Sequence, residues 1–234
     1  MKSILKVTEY QLHEFKITVM IFYTIMFLLS LVTVLQTINI TSGITVGGLE
    51  MSSAIFIFIV GLNCFKPSYK FMMANNVSRK RFYKGTTIAL LISALFMSLI
   101  DAILYNVLAR IIPYFGLREQ LYNNGNFLSD LIWYFGVYSF LVCLGWLITM
   151  IYYRCNTIMK IIISISPVLI IFIIQYINVK TDGVFIRAII NFFSMLFGFA
   201  FNNNSFIGSA SFLVGTVIIL LFCILFIRKA PIKE

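Results

Sequence analysis

Between Ile17 and Ile38 the chain reads ITVMIFYTIMFLLSLVTVLQTI, without one charged residue. A run of about 20 apolar residues is what an α-helix needs to cross the hydrocarbon core of a bilayer. Five further runs fit that ruler: Val46–Phe65, Thr86–Ala109, Phe127–Tyr152, Ile158–Ile177 and Phe206–Ile227. In lipid every backbone N–H and C=O must be paired inside the protein, so isolated runs of this kind fold as helices. The pattern predicts an all-α integral membrane protein with six transmembrane helices, forming a single transmembrane domain over residues 1–234. The second run is the weakest of the six, because Gly47, Gly48 and Glu50 dilute its start.

The chain is 61% hydrophobic and 11% charged. Soluble domains are closer to half apolar and a quarter charged. Cys64, Cys143, Cys155 and Cys223 lie in or at the ends of apolar runs and none forms a CxxC, so they read as buried thiols that act as small hydrophobes. Lys2, Lys6 and Lys16 precede the first run as they would in a secretory signal. That run is too long for a signal, and no small-residue cleavage site follows it, so it reads as a retained first span.

Orientation follows from where the 18 Lys and Arg lie. Lys2, Lys6 and Lys16 fall on one side, with Lys66, Lys70, Arg79, Lys80, Arg81, Lys84, Arg154, Lys160, Arg228, Lys229 and Lys233. Arg110, Arg118, Lys180 and Arg187 fall on the other. Short cytoplasmic loops are enriched in Lys and Arg, which places the N and C termini in the cytoplasm.

A seventh apolar stretch, Val184–Phe201, is nearly long enough to span. Counting it as a span would turn Phe206–Ile227 over and send Arg228, Lys229 and Lys233 outside, against the charge rule. A re-entrant or interfacial helical hairpin on the outer side, between the fifth and sixth spans, fits better. Irregular backbone is tolerated at membrane depth where protein covers it. At the other end, Met1 to Lys16 alternates Ile4, Leu5, Val7, Leu12 and Phe15 with Lys2, Lys6, Glu9, Glu14 and Lys16. This is the pattern of an amphipathic helix lying on the inner interface before it turns into the first span.

Catalytic motifs are missing from the sequence. It has no Walker A phosphate loop, no HExxH and no GxSxG. His13 is the only histidine. The chain is read as a non-enzyme with no cofactor or metal of its own, so work done on a substrate must draw on a partner or an ion gradient. Asp101 is the costliest residue, because an acid within a span must face the bundle interior or find a partner. It fits either a polar point in a translocation path or a hydrogen-bonded strut between helices. Glu50 reads as an interfacial acid. Trp133 and Tyr134 suit the outer aromatic belt, as Tyr152 and Tyr153 suit the inner one. Pro167 can kink the fifth span, with Ser164 and Ser166 beside it to satisfy the freed backbone.

The basic block KPSYKFMMANNVSRKRFYK, Lys66 to Lys84, has its own grammar. Pro67 can close the second span or open a short helix. Ser68–Ala74 is expected to form a short helix that offers Tyr69, Phe71, Met72 and Met73 to a partner. Asn75-Asn76 is a helix stop, since Asn accepts left-handed geometry. Ser78 is placed to cap the next helix, which begins at Arg79. A plainer reading of the block is a positive-inside anchor that attracts anionic lipid. An exposed apolar cluster on a charged loop favours a protein partner.

This architecture, with the segment NNVSRKRFYKG from Asn75 to Gly85, resembles the permease subunits of ABC-2-type ATP-binding cassette transporters. The segment is similar to the G-x-S-R-x-x-F/Y-x-G element of small bacterial members, with Asn76 where Gly is frequent. The resemblance implies a permease that pairs with a second copy or a related subunit in the bacterial cytoplasmic membrane. Each subunit receives a separate ATPase, which binds the ATP and magnesium, and nucleic acid plays no part. The short helix near Ser68–Ala74 then acts as the coupling helix, with Tyr69, Lys70, Phe71, Met72, Met73, Ser78 and Arg79 at the contact. The expected cargo is amphipathic or hydrophobic, such as antimicrobial or cytolytic peptides moved outward by alternating access. Alternatives are a substrate-binding subunit of a vitamin importer, whose small-xxx-small faces Ile17–Ile38 lacks, and an ion-coupled secondary transporter.

Overall fold

A computed structural model describes residues 2–39, 46–122 and 125–228. Lys229 and Lys233, which entered the charge argument, lie outside those residues, as does Met1. The elements in chain order are α1 (Lys2–Asn39), β1 (Val46–Gly47), α2 (Leu49–Asn63), α3 (Lys66–Ala74), α4 (Arg79–Ile111) and β2 (Tyr114–Phe115). They continue with α5 (Leu117–Leu121), α6 (Phe127–Arg154), α7 (Thr157–Lys180), α8 (Val184–Leu196) and α9 (Ser205–Arg228). Six helical segments among the described residues are long and apolar enough to cross a membrane: α1, α2 with α3, α4, α6, α7 and α9. The chain is therefore built as a multi-pass membrane protein.

The predicted turn after Lys16 is absent. α1 runs unbroken for 38 residues, and nothing in it is a Pro or Gly that would break it. At 1.5 Å per residue it extends well beyond a hydrocarbon core of about 30 Å. One face of this helix, with Val7, Thr8, Gln11, Phe15, Val19, Met26 and Ser30, is buried. Of the expected apolar face only Val7 and Phe15 belong to it, while Leu5 is exposed. The Thr8 hydroxyl donates to the carbonyl of Gly85 at 3.1 Å, and the Tyr23 hydroxyl to that of Met97 at 3.1 Å. α1 and α4 therefore run side by side in the same direction.

The second span starts three residues later than its apolar run. Val46 and Gly47 pair in parallel with Tyr114 and Phe115, and Gly48 takes φ 88° before α2 begins. A two-residue bend at Cys64 and Phe65 then leads into α3. The small β1–β2 pair and α5 thus close one end of the bundle, and α3 closes the other.

The core lies between α2, α4, α6 and α9, with the inner face of α1 laid against it. Small residues bring the backbones together: a Cβ on Gly61 would lie 2.2 Å from the carbonyl oxygen of Val142, and one on Gly145 would lie 2.5 Å from that of Phe58. Trp133, Tyr134 and Tyr153 point into this core rather than to an aromatic belt, because α6 is the central helix and little of its surface faces outward. Cys64, Cys143 and Cys223 are buried free thiols, whereas Cys155 is only half-buried.

No residue of α7 or α8 is buried. α7 is apolar all round and stands at the margin, tied to α6 by the Tyr152 and Ser164 hydroxyls, 2.5 Å apart. Inside α7, Pro167 has no N–H for the carbonyl of Ile163, and the Ser166 hydroxyl donates to that carbonyl at 2.8 Å. α8 is a 13-residue helix, too short to cross a bilayer. The segment after it returns to the bundle, where Tyr122 donates to the carbonyl of Phe197 at 2.8 Å and stacks on Phe199.

Candidate functional site

Two places in the bundle gather residues that packing alone does not explain. The first is the α3 end. α3 stops in the way its Asn pair suggests: Asn76 has φ 57°, the N–H of Val77 returns to the carbonyl of Met72 at 3.0 Å, and that of Asn76 to Met73 at 3.1 Å. Paired bonds of this kind around a left-handed residue satisfy the last carbonyls of a helix. Ser78 then takes extended geometry and precedes α4, but its side chain makes no capping bond.

The faces of α3 differ from expectation. Tyr69 is 0% exposed and Met72 6%, while Phe71 is 50% exposed. Tyr69 lies between Phe65, Phe82 and Tyr153, with ring centroids 5.0, 5.5 and 5.8 Å away. Tyr69 and Met72 are thus core residues and not partner-facing ones, because α3 folds back onto α4 and α6 instead of projecting from them. Phe71 stacks on Tyr10 of α1 at 4.9 Å with its other face open. Lys70 and Met73 are half-buried and Ser78 is exposed. Arg79 reaches across to α9, donating to the carbonyl of Arg228 at 2.7 Å. Ser68, on the buried side, donates to Glu14 at 3.0 Å.

The second place is the β1–β2 end, where a cluster of acids and tyrosines is sealed inside the bundle. Asp101 is 2% exposed and Glu50 4%. Glu50 is therefore an interior group and not an interfacial acid, because β1 holds the start of α2 beneath β2. Tyr114 donates to Glu50 Oε2 at 2.9 Å, and the Tyr134 hydroxyl lies 3.4 Å from Oε1. Tyr138 donates to Asp101 Oδ2 at 2.5 Å. Tyr23 and Ser53 are the next polar groups around Asp101. Burial, and after it the Glu50 carboxylate, push the Tyr114 hydroxyl above its usual range, so it remains a donor. Glu50 and Asp101 line the same small cavity with Ser30, Tyr105 and Tyr114, which has room for about one water.

Behind this cluster Arg118 of α5 forms a buried ion pair with Asp130 of α6, and Tyr105 donates to Glu119 at 2.8 Å. Among the described residues no group of three or more His, Cys, Asp or Glu has the spacing of a metal site. The two places lie at opposite ends of α2 and α4, so Asp101 does not meet the residues of α3. Reading the sequence alone does not single out Glu50, Tyr114, Tyr134 or Tyr138 as partners of Asp101. The available signal is the pair of acids inside apolar runs, which share an end of the bundle once α2 and α4 are set antiparallel. No protein-family model, no curated protein and no solved structure matches the chain.

Proposed function

We propose that the chain is the membrane-spanning permease subunit of an ATP-driven exporter, and that a separate ATPase seats on α3. The observation that carries this reading is the anchoring of α3. An element that receives force must be held rigidly by the spans it moves. Tyr69 and Met72 tie α3 into the core, and Tyr69 packs against aromatic rings of α4 and α6. Phe71 offers an apolar contact on the opposite face, next in the chain to the half-buried Lys70. An exposed aromatic ring beside a cation suits a cleft with an acidic rim. Coupling then falls to Lys70, Phe71, Met73 and Ser78, with Tyr69, Met72 and Arg79 transmitting the motion.

In this reading the α3 end faces the cytoplasm of a bacterial cell, as its charges favour. α8 lies on the outer face as an interfacial or re-entrant element, and the first turns of α1 reach the inner interface. The all-apolar surface of α7 faces lipid or a second permease subunit. The cargo is amphipathic, in keeping with the apolar, aromatic interior. Isolating the tagged chain from its native membrane tests the reading. The complex should hydrolyse ATP, and Phe71→Asp should remove that activity from the preparation while the chain stays folded. A native complex without ATP hydrolysis overturns it.

A second reading, an ion-coupled secondary transporter, has one observation in its favour: Glu50 and Asp101 lie inside the bundle and, among the described residues, neither has an ion-pair partner. Transport that persists without ATP and stops when the ion gradient collapses would select it.

A further inference from the structure

We propose that Glu50 and Asp101 form a proton-binding site that clamps α2 against α4 at the β1–β2 end of the bundle. The proposal does not depend on an ATPase at α3. The two acids come from different helices and open onto one cavity with no room for more than about one water. A pair of carboxylates enclosed together disfavours double ionisation. The groups facing them are hydroxyls from every neighbouring element: Tyr23 of α1, Ser53 of α2, Tyr105 of α4, Tyr114 of β2, and Tyr134 and Tyr138 of α6. The charges packed behind are Arg118, held by Asp130, and Glu119, which accepts from Tyr105. None of these supplies a cation to either acid within ion-pair distance.

The hydrogen-bond inventory points to a proton in particular. Each tyrosine hydroxyl has one hydrogen to give. That of Tyr138 goes to Asp101 and that of Tyr114 to Glu50. Ser53, one turn beyond Glu50 on α2, is fully buried within reach of Asp101 and Tyr23, yet its hydroxyl makes no well-aligned hydrogen bond to either. A buried polar atom left in this state calls for a missing partner. A carboxylate that takes up a proton becomes a carboxylic acid and gains a donor, and the Ser53 oxygen is an acceptor within the same cluster. The proton adds to one carboxylate oxygen and leaves by the same bond. Its loss leaves two negative charges in a space with room for no more than about one water, which drives α2 from α4.

Infrared spectroscopy on the purified full chain in lipid vesicles tests this. At pH 7 and in sodium-free buffer, the native protein should show the carbonyl stretch of a neutral carboxylic acid, shifted in heavy water. The double variant Glu50→Gln, Asp101→Asn should lose that band. The unfolding temperature of the native chain should fall as pH rises through the midpoint of the band, because the proton is bound by the folded state. The double variant should lack that fall. A native spectrum without the band overturns the proposal without any variant, and so does a band that survives in the double variant. Loss of the native band on adding sodium at constant pH makes the site a cation site and overturns it as well. ATP hydrolysis by an α3-bound partner is unaffected by these outcomes, so this site and the coupling helix fail separately.

Discussion

Tyr138 of α6 and Asp101 of α4 are joined by a 2.5 Å hydrogen bond inside the helix bundle, with the tyrosine 1% and the aspartate 2% exposed. A hydrogen bond to a buried acid contributes about 1.5–3 kcal/mol, and removing its donor leaves the acceptor unsatisfied. Tyr138→Phe should therefore destabilise the detergent-solubilised protein by about 2 kcal/mol. Asp101→Asn, which keeps an acceptor for the same hydroxyl, should cost less. Denaturant unfolding of the two variants decides this; equal losses would mean that the Tyr138 bond is not what the aspartate is for.

Gly48 and Gly61 resist substitution for different reasons, and the difference is measurable. Gly48 has φ 88° and open space where a Cβ would stand, so the constraint is conformational. Asn tolerates that region better than Ala does, and Gly48→Asn should be milder than Gly48→Ala. At Gly61 the carbonyl oxygen of Val142 stands 2.2 Å from where a Cβ would be, so the constraint is size. Gly61→Ala should cost about 1–3 kcal/mol as overpacking, with Gly61→Asn worse. Reversal of either order in unfolding experiments would show that the reason given for that position is wrong.

Tyr69 and Phe71 sit two residues apart on α3 and should separate stability from coupling. Tyr69→Ala empties a site in the aromatic core, a change that costs about 3–5 kcal/mol for large rings. Phe71→Ala loses one stacking contact with Tyr10, worth about 1 kcal/mol. Unfolding curves should therefore shift strongly for the first and little for the second. Transport should fall in both, and in the Phe71 variant it should fall without a change in the amount of folded protein.

These residues also show how much is legible without the fold. The stop at Asn76 follows from the chemistry of two adjacent asparagines, and the number of spans from bilayer thickness, so both are local properties of the chain. The burial of Tyr69 is not local: it depends on α3 folding back onto Phe82 and Tyr153, the latter 84 positions away in the chain. Glu50 is the same case. Its partner Tyr134 lies 84 residues on, and the contact exists only because α2 and α6 approach closely at Gly61 and Gly145. The continuity of α1 is hidden for another reason. Its charged first third and apolar remainder differ in solvent preference, but a change of solvent does not end a helix when no residue breaks its hydrogen-bond ladder.

Ser166 and Pro167 of α7 form a compensating pair whose coupling can be isolated. Proline removes one helical donor and leaves the carbonyl of Ile163 open, and the Ser166 hydroxyl occupies it at 2.8 Å. In the native chain, Ser166→Ala should expose an unsatisfied carbonyl in an apolar setting and cost about 1 kcal/mol or more. In a Pro167→Ala background the N–H restored at position 167 takes that carbonyl, and the same serine substitution should cost close to nothing. The double-mutant cycle should thus return a coupling energy of at least about 0.5 kcal/mol between adjacent residues that share one acceptor. If Ser166→Ala costs the same in both backgrounds, the hydroxyl is not replacing the missing bond, and the helix tolerates Pro167 through bending alone. Since α7 has no buried residue, the cycle reads this local balance with little interference from core packing.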